Sequence, residues 1–151
     1  MDYIKIRFSN DFERLTSSFE KTFEDIFRPR PASPMFATAE CTWTPSIDVY
    51  ETPEEIIIRA EIAGVDKEDL EVEVNSKAVR IYGRRREISR IEQATYRLAE
   101  IQYGKFERIL FLPTPIDTEV VTSSYTNGFL ELRLAKLPRE RTYKIPIDDS
   151  E

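Results

Sequence analysis

The side chains able to do acid–base or nucleophilic chemistry in this chain are 28 carboxylates, one thiol at Cys41 and a scatter of hydroxyls, with no histidine anywhere in 151 residues. Imidazole is the commonest general base near neutral pH and the commonest metal ligand. Without it, Ser–His and Cys–His nucleophilic pairs cannot form. The carboxylates are spread along the whole chain, and at that density close pairs arise by chance. Four glycines leave no Gly-x-Gly-x-x-Gly or P-loop run to cradle a phosphate. The reading is of a protein that is not an enzyme, with no catalytic, cofactor-binding or metal-ligating residues.

The residues that do recur in a pattern are apolar. Phe8, Phe12, Leu15, Phe19, Phe23, Ile26 and Phe27 follow i, i+3/i+4 spacing, which at 100° per residue gathers them within about 120° of one helical face. Ser9 or Asn10 can cap the start, Asp11 and Glu13 suit the positive end, and Pro29 stops the helix. Burying each of these seven side chains is worth roughly 1.5–3 kcal/mol, while an isolated helix of this length is marginal in water. The stripe must therefore be covered. A helix packed on its own domain is one solution; packing on neighbouring subunits and on unfolded proteins is the other. A membrane-surface helix fits less well, because the polar face lacks a basic bias. Six of the nine phenylalanines precede residue 41, and aromatic rings supply large contact areas without a fixed hydrogen-bond pattern.

A second apolar feature stands in the charged C-terminal tail: Ile145-Pro146-Ile147. Proline holds the segment extended, so the two isoleucines point to one side. The result is a two-pronged plug for a groove at a sheet edge. Two isoleucines give roughly 3–6 kcal/mol gross, against the ~4 kcal/mol or more that association costs. One contact is weak, and many in one assembly reinforce each other. A tail strand folded on its own domain is the alternative.

Between these ends the periodicity is that of strands. Leu70, Val72 and Val74 alternate with Glu71 and Glu73, and Leu130, Leu132 and Leu134 with Glu131 and Arg133. Further strands are read at Ile47–Val49, Glu55–Glu61, Val79–Tyr82, Phe106–Leu112 and Glu119–Tyr125. Asn127-Gly128 is a tight hairpin turn. Lys67-Glu68-Asp69 reads as one helical turn after the Gly64 turn, and Arg84–Gln102 as an extended loop. The fold class is all-β: an immunoglobulin-like antiparallel β-sandwich with an N-terminal amphipathic helical arm and an extended C-terminal tail. The boundaries are 1–42 for the arm and its Pro-rich linker, 43–137 for the sandwich and 138–151 for the tail.

A net charge of −6 argues against nucleic acid and anionic membrane surfaces as partners. One cysteine forms no intramolecular disulfide and fits a reducing compartment. Met1–Phe8 alternates charged and apolar residues and so contains no continuous apolar leader core. No stretch has the ~18–20 apolar residues that span a bilayer. A cytoplasmic location follows, without stable membrane insertion.

Several short motifs together resemble the small heat-shock protein family and its alpha-crystallin domain, over about residues 43–147. They are Trp43-Thr44-Pro45-Ser46-Ile47-Asp48-Val49-Tyr50-Glu51 at the domain start, Ala60-Glu61-Ile62-Ala63-Gly64-Val65, Val79-Arg80-Ile81-Tyr82-Gly83-Arg84-Arg85, Tyr103-Gly104-Lys105-Phe106-Glu107-Arg108 with Phe111-Leu112-Pro113, Asn127-Gly128-Phe129-Leu130, and the Ile145-Pro146-Ile147 tail. Ala63, Ser123 and Ile101 depart from the family's usual Pro, Ala and Arg. The resemblance implies an ATP-independent holdase of the stress response. It would bind partly unfolded clients, prevent their aggregation and hand them to ATP-dependent chaperones, acting as a homo-oligomer built from dimers. It also implies a dimer loop in which Thr95, Tyr96, Arg97 and Leu98 form a strand that pairs with the partner's sheet. The tail would dock between Leu70–Val74 and Glu119–Tyr125. Leu70, Val72 and Val74 form one wall of that groove. Val120 and Thr122 are taken as the other, with Val121 and Ser123 the alternative that periodicity leaves open. Arg84, Arg85 and Arg86 are either a solvated charge run or partners for carboxylates of the second subunit. The competing non-enzymatic class is an adaptor that docks on one defined partner and needs neither the Phe-rich arm nor the plug.

Overall fold

The computed structural model of the chain describes residues 4–8 and 42–138. Eight strands run in chain order: β1 (Lys5–Phe8), β2 (Ile47–Glu51), β3 (Glu55–Glu61), β4 (Leu70–Val74), β5 (Ala78–Arg85), β6 (Gly104–Phe111), β7 (Ile116–Thr126) and β8 (Phe129–Lys136). They form two four-stranded sheets of order β1-β4-β5-β6 and β2-β3-β8-β7. All pairings are antiparallel except β1 with β4, which is parallel.

Alternation builds the core. Leu70, Val72 and Val74 of β4 and Leu130, Leu132 and Leu134 of β8 point inward with Ile56, Ile58, Val79, Ile81 and Phe106, all buried. Two glycines are demanded by close approach. A Cβ on Gly83 would sit 2.1 Å from the Asp69 carbonyl oxygen, at the end of the 3-10 turn Lys67–Asp69. In the β7–β8 hairpin, Asn127 and Gly128 adopt φ of 52° and 82°, the left-handed pair that an Asn-Gly turn supplies.

Trp43, just ahead of β2, bridges Phe106 of β6, with ring centroids 4.8 Å apart. The β2 edge therefore lies over the β6 edge, and the strand orders then set β7 over β4 and β1.

Three expectations change. Phe8 does not begin a helix: it ends β1, opposite Val74. The rest of the helical stripe, from Phe12 to Phe27, lies outside the described residues, as does Ile145-Pro146-Ile147. The strand read at Val79–Tyr82 is longer and runs on through Gly83 to Arg85. Part of the arginine run is not simply solvated: Arg85 stacks on Trp43 at 3.9 Å and Arg86 pairs with Asp69 at 2.6 Å.

Candidate functional site

The groove read from the sequence would lie between the β4 edge and β7. On its floor Leu70, Val72 and Val74 are almost fully buried. The β7 wall carries Val121, Ser123 and Tyr125, which pair with the inward-facing Leu134, Leu132 and Leu130. Val120 and Thr122 face outward instead, Val120 being 53% exposed. The cause is an irregularity in β7. Ile116 is buried, and strict alternation from it would bring 120 and 122 inside. Between Ile116 and Val121 the register slips, five residues on β7 spanning two on β8, from Lys136 to Leu134. An odd excess turns the strand over. The facing pair is thus Val121 and Ser123.

The β4 edge has a partner strand that sequence reasoning missed. β1 adds to the β4 edge with Lys5, Ile6, Arg7 and Phe8 opposite Glu71, Val72, Glu73 and Val74. Ile4 and Ile6 pack against the core, as Val121 and Tyr125 also do. The signal was present: the charged–apolar alternation of the first eight residues is also the period of a strand.

The outer face of the β4 sheet is polar and internally paired. Arg80 Nε donates to Glu107 Oε2 at 2.7 Å, and its Nη1 lies 3.4 Å from Glu73 Oε2. The Glu107 carboxylate is only 4% exposed, so the acidic half of this ion pair is deeply buried. The Tyr82 hydroxyl donates to Glu71 at 2.7 Å, with Glu73 3.1 Å away. Burial, then those two acidic neighbours, push its pKa well above the ordinary phenol range. On β7, the Tyr125 hydroxyl donates to the Ile62 carbonyl at 2.6 Å and tethers the 62–65 turn; burial raises its pKa as well.

A second unusual surface is the connection from β5 to β6. Arg85 lies opposite Gly104 in an antiparallel ladder, so two residues could close it. Residues 86–103 intervene instead. Ile88, Ile91, Leu98 and Ile101 are each two-thirds or more exposed, up to 85% at Ile91. Thr95, Tyr96, Arg97 and Leu98 form no strand in the single chain. Arg90 lies over the Tyr96 ring at 4.8 Å and 3.5 Å from Glu87. Among the described residues, no group of three or more Cys, Asp or Glu side chains is placed to hold a metal ion, and no helix is long and apolar enough to cross a membrane.

What these surfaces have in common is apolar side chains at or beside a sheet edge or loop, and similarity to known proteins gives the chain a family. Residues 48–148 match the Hsp20/alpha crystallin family. The chain is 26% identical over 143 residues to small heat shock protein C2 of Rickettsia felis, covering 95% of this chain and 92% of that one. It is 31% identical to the 18.1 kDa class I heat shock protein of Arabidopsis thaliana, with the same coverage. Among solved structures, heat shock protein 16.0 of Schizosaccharomyces pombe superposes with a TM-score of 0.60 at 30% identity, over 71% of this chain and all of that one. A small heat-shock protein of Xylella fastidiosa, described as having a distinct high order structure, gives 0.59 at 27% identity, over 71% of this chain and 98% of that one. The chain belongs to the Hsp20/alpha-crystallin family, the small heat-shock protein chaperones.

Proposed function

We propose that this chain is an ATP-independent holdase of the cytoplasm that binds partly unfolded proteins and works as a homo-oligomer of dimers. The observation that carries the reading is the 86–103 connection, with four aliphatic side chains in water where a tight turn would suffice. A monomer gains nothing from such exposure, because exposed apolar area is the term that association recovers. The edge strand β2 of a second subunit offers unpaired backbone groups, and Thr95–Leu98 is the segment to fill it by strand addition. The Ile145-Pro146-Ile147 tails then link dimers through the cleft floored by Leu70, Val72 and Val74. The arm residues Phe12, Leu15, Phe19, Phe23, Ile26 and Phe27 supply the client-binding surface, with Phe8 at its β1 end. Clients pass to ATP-dependent chaperones for refolding, since the sequence carries no Gly-rich phosphate loop of its own.

The test is light scattering of a heat-denaturing client with no nucleotide present. The full chain should suppress scattering at near-stoichiometric subunit ratios. The full chain carrying Phe12→Ser, Phe19→Ser and Phe23→Ser should lose most of that suppression. Undiminished suppression by the triple variant would move client binding off the arm, and no suppression by the unaltered chain would sink the holdase reading.

A further inference from the structure

The chain carries two segments of the form Ile-x-Ile, one at Ile4-Lys5-Ile6 and one at Ile145-Pro146-Ile147, and the structure seats the first in the cleft assigned above to the second. We propose that Ile4–Phe8 is a built-in competitor for the tail groove, so that each groove holds either its own β1 or the tail of a second copy, and assembly proceeds by exchanging one for the other. The proposal rests on the reading of the tail as the linking element.

Shape is the first argument. Ile6 stands opposite Val72, and Ile4 and Ile6 pack on the core cluster that contains Leu70, Val72 and Val74. Any other extended segment placing two isoleucines two residues apart on that edge needs the same backbone groups of β4 and the same apolar floor. The two occupants exclude each other.

Charge is the second. The outward residues of β1 are Lys5 and Arg7, beside Glu71 and Glu73 on the outward side of β4. Arg7 Nη2 lies 3.4 Å from Glu71 Oε2. In the tail the residue between the two isoleucines is Pro146, flanked outside by Lys144 and Asp148. Pro146 has no N–H to give to a neighbouring strand, and Asp148 brings the wrong sign toward an acidic edge. β1 is therefore the better ladder strand and the better electrostatic match, and being on the same chain it acts at an effective concentration that a single free tail does not reach. The tail wins only when several tails act together, or when β1 is loosened.

Opposite-charge pairs at this exposure are weakened by salt, whereas the apolar contacts of the tail are not. Rising ionic strength therefore shifts occupancy from β1 to the tail. The groove then behaves as a regulated acceptor rather than a permanently open one.

The experiment uses the full chain with Ile145→Gly and Ile147→Gly, so that its own tails do not fill the grooves, and a fluorescent synthetic peptide of residues 141–151. Peptide affinity is measured for this protein, for the same protein with Ile4→Ser and Ile6→Ser, and for the same protein with Lys5→Glu and Arg7→Glu. The charge-reversed form alters only exposed positions and guards against misfolding in the first. If β1 holds the groove about 90% of the time, its removal tightens peptide binding about tenfold. The expected result is that gain in both variants, with loss of amide protection at residues 5–8 when peptide binds the parent. Equal affinity in all three proteins overturns the competition and leaves the tail reading intact. No binding to any of them overturns the tail reading, and the competition with it.

Discussion

Ile6 lies directly opposite Val72, on the one strand among the described residues that runs parallel to its neighbour. That pairing places a segment from the chain's start on the edge of a sheet whose other strands lie between residues 70 and 111. The β4 edge is thus completed by a segment more than sixty residues away in the sequence.

The tail prediction follows from the two-pronged geometry of residues 145–147. Replacing Ile145 and Ile147 with glycine should reduce the assembly to dimers or small species, read by native mass spectrometry. Unchanged large oligomers would show that the tail is not the linking element.

Replacing residues 88–101 by a short Asn-Gly turn should leave the sandwich folded, because Arg85 and Gly104 already face each other across the ladder. The expected product is a monomer by sedimentation, with unaltered β-sheet circular dichroism. A dimer of undiminished affinity would place the subunit contact elsewhere.

The sequence made much of this architecture legible, for identifiable reasons. β4 and β8 show clean alternation because each has one face in the core, and Asn127-Gly128 declares its hairpin by backbone chemistry alone. What stayed hidden depended on distant partners or on local irregularity. β1 is too short to read as a strand until β4, more than sixty residues on, gives it a ladder. Periodicity leaves the inner face of β7 open because Val120 and Val121 are both apolar, and the slip after Ile116 selects Val121 over the favoured Val120. The roles of Arg85 and Arg86 needed Trp43 and Asp69 beside them.

The Arg80–Glu107 pair makes a stability prediction. Arg80→Ala leaves a carboxylate that is 4% exposed without its counter-charge, which should cost about 3 kcal/mol in denaturant unfolding. The double variant Arg80→Met, Glu107→Leu should lose much less, since it removes both charges and keeps the volume. Equal losses in the two would show that packing, not charge burial, sets the value.

Tyr82 makes a pH prediction. Its folded pKa is raised, first by burial and then by Glu71 and Glu73, so the folded state favours the neutral phenol. The stability this contributes is complete below the unfolded value of about 10 and declines as the pH rises beyond it toward the folded pKa. The stability gap between the parent and Tyr82→Phe should therefore narrow from pH 9 to pH 11, by chemical denaturation across roughly that range. A gap that stays constant would mean that the hydroxyl is not held neutral by its neighbours.

The central claim is that apolar surface which one β-sandwich cannot cover is shared between sister subunits and unfolding proteins. Native mass spectrometry of the full chain, warmed with an aggregation-prone client and no nucleotide, addresses it most directly. The account expects even-numbered oligomers that exchange subunits faster on warming and carry bound client. A monomer at micromolar concentration, with the client aggregating as if alone, would contradict it.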